Sequence, residues 1–117
     1  MNRLIIFIIP LYFICACTPE EKRIPKDVMS VDTMKYVVWD MIQAGAYASY
    51  LKDKDTTVKK LNTAYMAEVL KLHNISKEYF FKSFNFYQSH PVLNKQLFDS
   101  INVYAQRQRD ELYKKLR

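Results

Sequence analysis

The chain has 117 residues, half of them apolar, with a single glycine and a formal charge of +6 at neutral pH. A lone glycine excludes a Gly-rich phosphate loop, and this length allows one domain that folds on a hydrophobic core alone. The basic balance points to three classes of partner: nucleic acid, anionic lipid headgroups or acidic surface polymers.

The first stretch sets the address. Arg3 precedes an apolar run from Leu4 to Ile14, and Cys15-Ala16-Cys17 follows. A cationic start, an apolar core of about a dozen residues and a small residue before the cut are the parts of a secretory signal peptide. The run is too short to span a bilayer, which takes about 20 apolar residues, and Pro10 interrupts it. Ile14-Cys15-Ala16-Cys17 resembles the lipobox of bacterial lipoproteins: an aliphatic residue, then a small one, then the obligatory cysteine. Cys15 does not fit that frame, because Tyr12 and Ile14 would then stand where aliphatic and small residues belong. The resemblance implies cleavage after Ala16, a diacylglycerol thioether on Cys17 and acylation of the new amine. Two or three acyl chains hold stably where one holds marginally. Cys15 leaves with the leader and Cys17 is capped, so no free thiol and no disulfide remain. Losing Arg3 takes the charge from +6 to +5.

From Thr18 to Met29 the chain is polar, with Pro19, Glu20, Glu21, Lys22, Arg23 and Pro25, and reads as an extended tether. At about 3.3 Å per residue it reaches roughly 40 Å, which keeps the domain near a membrane. Glu20-Glu21 resembles the acidic signal that sends some lipoproteins to the outer cell surface. The expected organisation is therefore a leader over 1–16, a lipidated cysteine and tether over 17–29, and a helical domain over 30–117.

Ser30 or Asp32 caps a first helix running to about Leu51. Met34, Val37, Val38, Met41, Gly45 and Ala48 share one face. Tyr36, Trp39, Gln43, Tyr47 and Tyr50 gather on the other. Two readings stand for that second face: burial by neighbouring helices, or a partner surface of Tyr36, Trp39, Tyr47 and Tyr50, since Trp and Tyr anchor interfaces. Lys52 to Asp55 forms a turn, and Thr56 or Thr57 caps a second helix to about His73. Its inward stripe is Val58, Leu61, Tyr65, Val69 and Leu72. Asn74-Ile75 ends it, and Ser76 caps a third, shorter helix rich in aromatics. These are expected in the core; the alternative is an aromatic cleft at Phe80 and Phe84. Ser89-His90-Pro91 stops that helix and starts the last, with Pro at its first turn and Leu93, Leu97, Ile101, Tyr104 and Leu112 inward. Asp110–Lys114 and Glu111–Lys115 stand four apart in acid-first order, a solvated helix face. With no strand-like alternation, the fold expected is all-α: an up-and-down bundle of about four helices.

Ile24-Pro25-Lys26-Asp27-Val28-Met29 before a helix, then Leu72-His73-Asn74-Ile75-Ser76, Phe80, Ser83, Phe86-Tyr87 and His90-Pro91, resemble a family of small lipoproteins of Bacteroidota-type bacteria. The shared domain of that family is of unknown function. The pattern runs from about Ile24 to Arg107, and His90 stands where a helix-capping Asn is expected. The resemblance implies export, lipidation and a helical fold, and supplies no activity. Asp32-Thr33-Met34, Asp55-Thr56-Thr57 and Asp99-Ser100-Ile101 also resemble the acceptor of that bacterial group's O-glycosylation system, which implies a glycan on Thr33 or Thr56. Asp beside Thr or Ser is equally ordinary capping chemistry.

Catalytic chemistry is not expected. His73 and His90 are the only histidines, and a zinc site takes three or four ligands at matched spacing, so no metal and no cofactor are expected. Ser76 and Ser89 serve as caps, and Asp110 and Glu111 point to different helix sides. Nucleic acid is disfavoured by export and by cations scattered among acids. The function expected is a non-enzymatic envelope lipoprotein, held in the outer membrane by Cys17 and facing periplasm or exterior, whose helices dock an envelope protein. The alternative is a periplasmic holdase-like helper gripping unfolded clients at Phe80 and Phe84.

Overall fold

The computed structural model describes residues 23–50 and 58–117, and every described regular element is a helix: α1 (Val31–Tyr50), α2 (Val58–Leu72), α3 (Lys77–Ser89) and α4 (Pro91–Lys115). The leader, Cys17, the first residues of the expected tether and the Thr56–Thr57 cap lie outside the described residues. The all-α class is as expected.

Each described helix boundary has a local cause. Ser30 caps α1: its Oγ accepts from the Thr33 backbone N–H at 3.2 Å, satisfying one of the orphan donors of the first turn. Asp32 instead holds Lys35 at 3.2 Å within that turn. α2 ends in a Schellman motif: Asn74 takes a left-handed φ of 53°, Asn74 N–H donates to Lys71 O, and Ile75 N–H donates to Leu70 O at 2.9 Å. Ser76 then caps α3 through Tyr79 N–H at 3.2 Å. His90 alone separates α3 from α4, and Pro91 opens α4 where its missing N–H costs nothing. His90 gives α4 no side-chain cap. Its Nδ1 donates instead to Phe86 O at 2.6 Å, and its ring stacks on Phe86 at 4.0 Å. A ring in the place of the expected Asn thus closes the carboxyl end of α3 rather than the amino end of α4.

The topology departs from a simple up-and-down bundle. Tyr47 meets Tyr65 while Asp40 meets His73, so α1 and α2 are antiparallel. Met29 meets Ser83 and Tyr87, so α3 continues in the sense of α2 beyond the Asn74 bend. Tyr36 meets Tyr104, and Trp39 shares a groove with Leu112, so α4 runs parallel to α1. In effect α2 and α3 run as one broken rod in one sense, and α1 and α4 run in the other. α1 packs on both α2 and α4, whereas α2 and α3 barely touch.

The core sits where these rods cross. Met34, Val37 and Val38 of α1, Val69 and Leu70 of α2, Phe80 and Tyr87 of α3, and Leu93, Leu97 and Ile101 of α4 are all buried. Val28 and Met29 are buried with them, so the domain begins before residue 30. Pro25 to Met29 makes a turn closed by Val28 N–H to Pro25 O at 3.1 Å, which tucks the two apolar residues under α3. Of the expected inward stripes, Leu61, Tyr65 and Tyr104 are only partly buried, and Leu72 and Leu112 are 77% and 57% exposed. Leu72 is the last residue of α2, where the chain turns away. Leu112 belongs to the last turns of α4, where every residue from Gln106 to Arg117 is exposed.

Candidate functional site

The aromatic residues of α1 divide between two neighbours. Tyr36 and Trp39 turn to α4, where the Tyr104 ring meets both edge-on at centroid distances of 5.0 and 6.1 Å. Tyr47 turns to α2 and meets Tyr65 edge-on at 5.8 Å. Tyr50 meets neither and is 86% exposed. Successive residues step about 100° around a helix, so positions 36, 39, 43, 47 and 50 fall within one arc of about 80°, and the division follows from which neighbour lies beside each level of α1 rather than from the side they occupy. Trp39 is half-buried against the core, while Tyr36 keeps 42% of its surface in solvent.

Around Tyr36 and Tyr104 the α1–α4 seam opens into a groove of about 650 Å³. The two rings and Val103 supply its apolar floor; Lys35, Arg107 and Glu111 stand among its walls. The Lys35 ammonium lies 4.7 Å from the Tyr36 ring centroid, a cation–π contact that holds the ring's position. Farther along the seam α1 and α4 part, and Trp39, Gln43, Leu112 and Lys115 line a second groove of about 410 Å³. Tyr104, Arg107 and Lys35 were not singled out in the sequence as surface residues. Tyr104 looked like core because its spacing from Ile101 continues the buried stripe.

The other candidates are placed as follows. Phe80 is buried and stacks on Phe84 at 5.9 Å with an interplanar angle of 23°, and Phe84 packs against the core. Both rings are thus engaged in internal packing. Thr33 is exposed at the start of α1, its Oγ1 3.1 Å from Ser30 Oγ. Cys17 and Thr56 lie outside the described residues.

Three polar ties were invisible in sequence because their partners lie 33 to 58 residues apart. His73 Nε2 and Asp40 Oδ2 are 2.7 Å apart and half-buried, joining the end of α2 to the middle of α1. Lys82 of α3 pairs with Asp27, and this hydrogen bond is the main cause that holds the Asp27 carboxyl below its usual range. Met29 is gripped at both backbone groups: its N–H donates to Ser83 Oγ at 2.9 Å, and its carbonyl accepts from Tyr87 Oη at 2.8 Å. Ser83 and Tyr87 stand four apart on one face of α3, so a single helix face supplies an acceptor and a donor to one residue. Ser83, fully buried, is thereby satisfied, and burial pushes the Tyr87 phenol up to about 12.

Among the described residues, no three His, Cys, Asp or Glu side chains group as a metal ion needs. No described helix is long and apolar enough to cross a membrane. No curated protein and no solved structure matches the chain. A family model does match, over residues 25–111, and its first position is the Pro25 that opens the turn beneath α3. By that match, which takes in most of the chain, the protein belongs to the family described as domain of unknown function DUF4296.

Proposed function

We propose that the protein is a cell-envelope lipoprotein, anchored through Cys17, whose helical domain is a non-enzymatic docking module for an envelope protein. The anchor rests on the leader and on Ile14-Cys15-Ala16-Cys17. The docking reading is carried by one observation: the Tyr36–Tyr104 pair forms the floor of an open groove with charged residues of both signs on its walls. Aromatic anchors inside a polar rim are the anatomy of a protein interface. Trp39 supports Tyr104 from the core side, and Tyr47 and Tyr50 fall outside the groove. The holdase alternative loses its cleft, since Phe80 is buried and stacked on Phe84.

Two measurements test this. The intact mass of protein from its own membranes is expected to equal residues 17–117 plus two or three acyl chains; the mass of the whole unprocessed chain would end the lipoprotein reading. A hexose-sized increment would place a glycan, for which exposed Thr33 is the described candidate. Cross-linking in cells is expected to capture one stoichiometric partner, lost in Val103→Glu and kept in Tyr50→Ala. Capture that survives Val103→Glu removes the groove from the interface.

A further inference from the structure

α1 ends, α2 begins and α4 ends on the same side of the bundle, opposite the Met29 grip. That pole differs from the rest of the surface. Among the described residues, six large apolar side chains are more than half exposed, and five of them belong to this pole: Tyr47, Tyr50, Leu112, Tyr113 and Leu116. Its charge is largely positive. The exposed last turns of α4 carry Arg107, Arg109, Lys114, Lys115 and Arg117 against only Asp110 and Glu111, and Lys59 and Lys60 are exposed at the start of α2.

The order around α4 sharpens this. At about 100° per residue, Leu112, Leu116 and Tyr113 fall within an arc of about 100°, with Arg109 inside it and Lys115 and Arg117 flanking it. Asp110 and Glu111 lie outside the arc. An apolar wedge of Leu and Tyr flanked by cations is the pattern of a helix that rests in a lipid headgroup layer, where tyrosine is also enriched. A second copy is the poorer occupant, because two such ends carry like charge. An acidic protein is poorer too, since the cations spread over two helices and suit a continuous anionic plane better than one docked surface.

The geometry points to this pole as a second membrane contact, resting on an anionic bilayer surface. It builds on the envelope reading above and gives the domain a pose. α1, 20 residues long, spans about 30 Å between the poles. Chain length allows roughly 23 Å between Cys17 and Ile24. Both ends reach one bilayer only if the bundle leans toward it.

The test uses the full chain reconstituted in vesicles of phosphatidylcholine alone or mixed with phosphatidylglycerol, and reads amide exchange along α4. Residues 106–115 are expected to exchange at least tenfold more slowly on the anionic vesicles, and high salt should erase the difference. Lys115→Gln with Arg117→Gln should weaken the contact about 30-fold without altering exchange in the core. Equal exchange on both vesicle types overturns the inference. So does equal protection by soluble polyglutamate, which would assign the pole to an acidic protein, or protection that grows with protein concentration without lipid, which would assign it to a second copy. Acylation is read separately from intact mass, so a chain without acyl groups that still shows the anionic-vesicle effect breaks the lipoprotein reading and leaves the pole standing.

Discussion

Leu93, Leu97 and Ile101 in the first half of α4 are at most 3% exposed, whereas Leu112 and Leu116 in its second half are mostly in solvent. These residues are of one chemical kind on one helix at comparable spacing. What differs is the company: the first half lies against α1 and α3, and the second extends past Tyr104 with only the parting end of α1 beside it. A periodic stripe shows which side of a helix is apolar; it does not show where the neighbour stops.

The widest gap between the halves should appear on truncation. Leu97→Ala leaves a cavity in the core and should cost about 2–5 kcal/mol, while Leu112→Ala should stay within about 0.5 kcal/mol. Denaturant midpoints measured on both would break the comparison if the two losses were alike.

The Met29 grip comes next. Tyr87→Phe strips the Met29 carbonyl of its buried donor and should cost about 1–3 kcal/mol; Ser83→Ala should act similarly through the stranded N–H. Alkali should loosen the same point. The Tyr87 phenol is raised by burial from 10.0 to about 12, so the unfolded chain gives up this proton before the folded one does. The stability tied to it is therefore complete below pH 10 and drains away as pH rises toward 12. A Tyr87→Phe chain should lose that part of the alkaline decline, read by circular dichroism.

A smaller change of opposite sign is expected at Gly45. A Cβ there would find only Asn62 Oδ1, at 3.9 Å, which is ordinary contact. Gly45→Ala should therefore stabilise α1 by about 0.5–1 kcal/mol, and a destabilised variant would reveal a backbone demand that the packing does not show. Smallest of all should be the Asp27–Lys82 pair, both ends of which are exposed. Asp27→Asn should shift the midpoint only slightly at neutral pH. Its effect should vanish in acid, because a carboxylate with a lowered pKa stabilises above its unfolded value and ceases to do so as pH falls through the folded one.

The helix boundaries were legible because they are local chemistry. Ser76 as a cap, Asn74 as a stop and Pro91 as a first turn each act through atoms a few residues away. Much of the core was legible for the same reason, through the spacing of Met34, Val37 and Val38 or of Leu93, Leu97 and Ile101. The segment before α1 was not. Pro25, Lys26 and Asp27 carry the composition of a linker, and nothing nearby indicates that a serine and a tyrosine more than 50 residues later hold Met29. Nor did spacing alone divide Trp39 from Tyr47: which helix faces which is decided by the bend at Asn74 and the one-residue turn at His90, which together set α4 parallel to α1.

That grip also fixes how the domain bears load. A pull on the chain ahead of Arg23 meets Met29 before it reaches α1, and Met29 is fastened to α3 through both of its backbone groups. Tension is thus shared by two hydrogen bonds that must break together, and it passes into α3 and then, across the single residue His90, into α4. Whatever tugs on the amino-terminal arm strains the far side of the bundle first and leaves α1, which directly follows it in sequence, mechanically last.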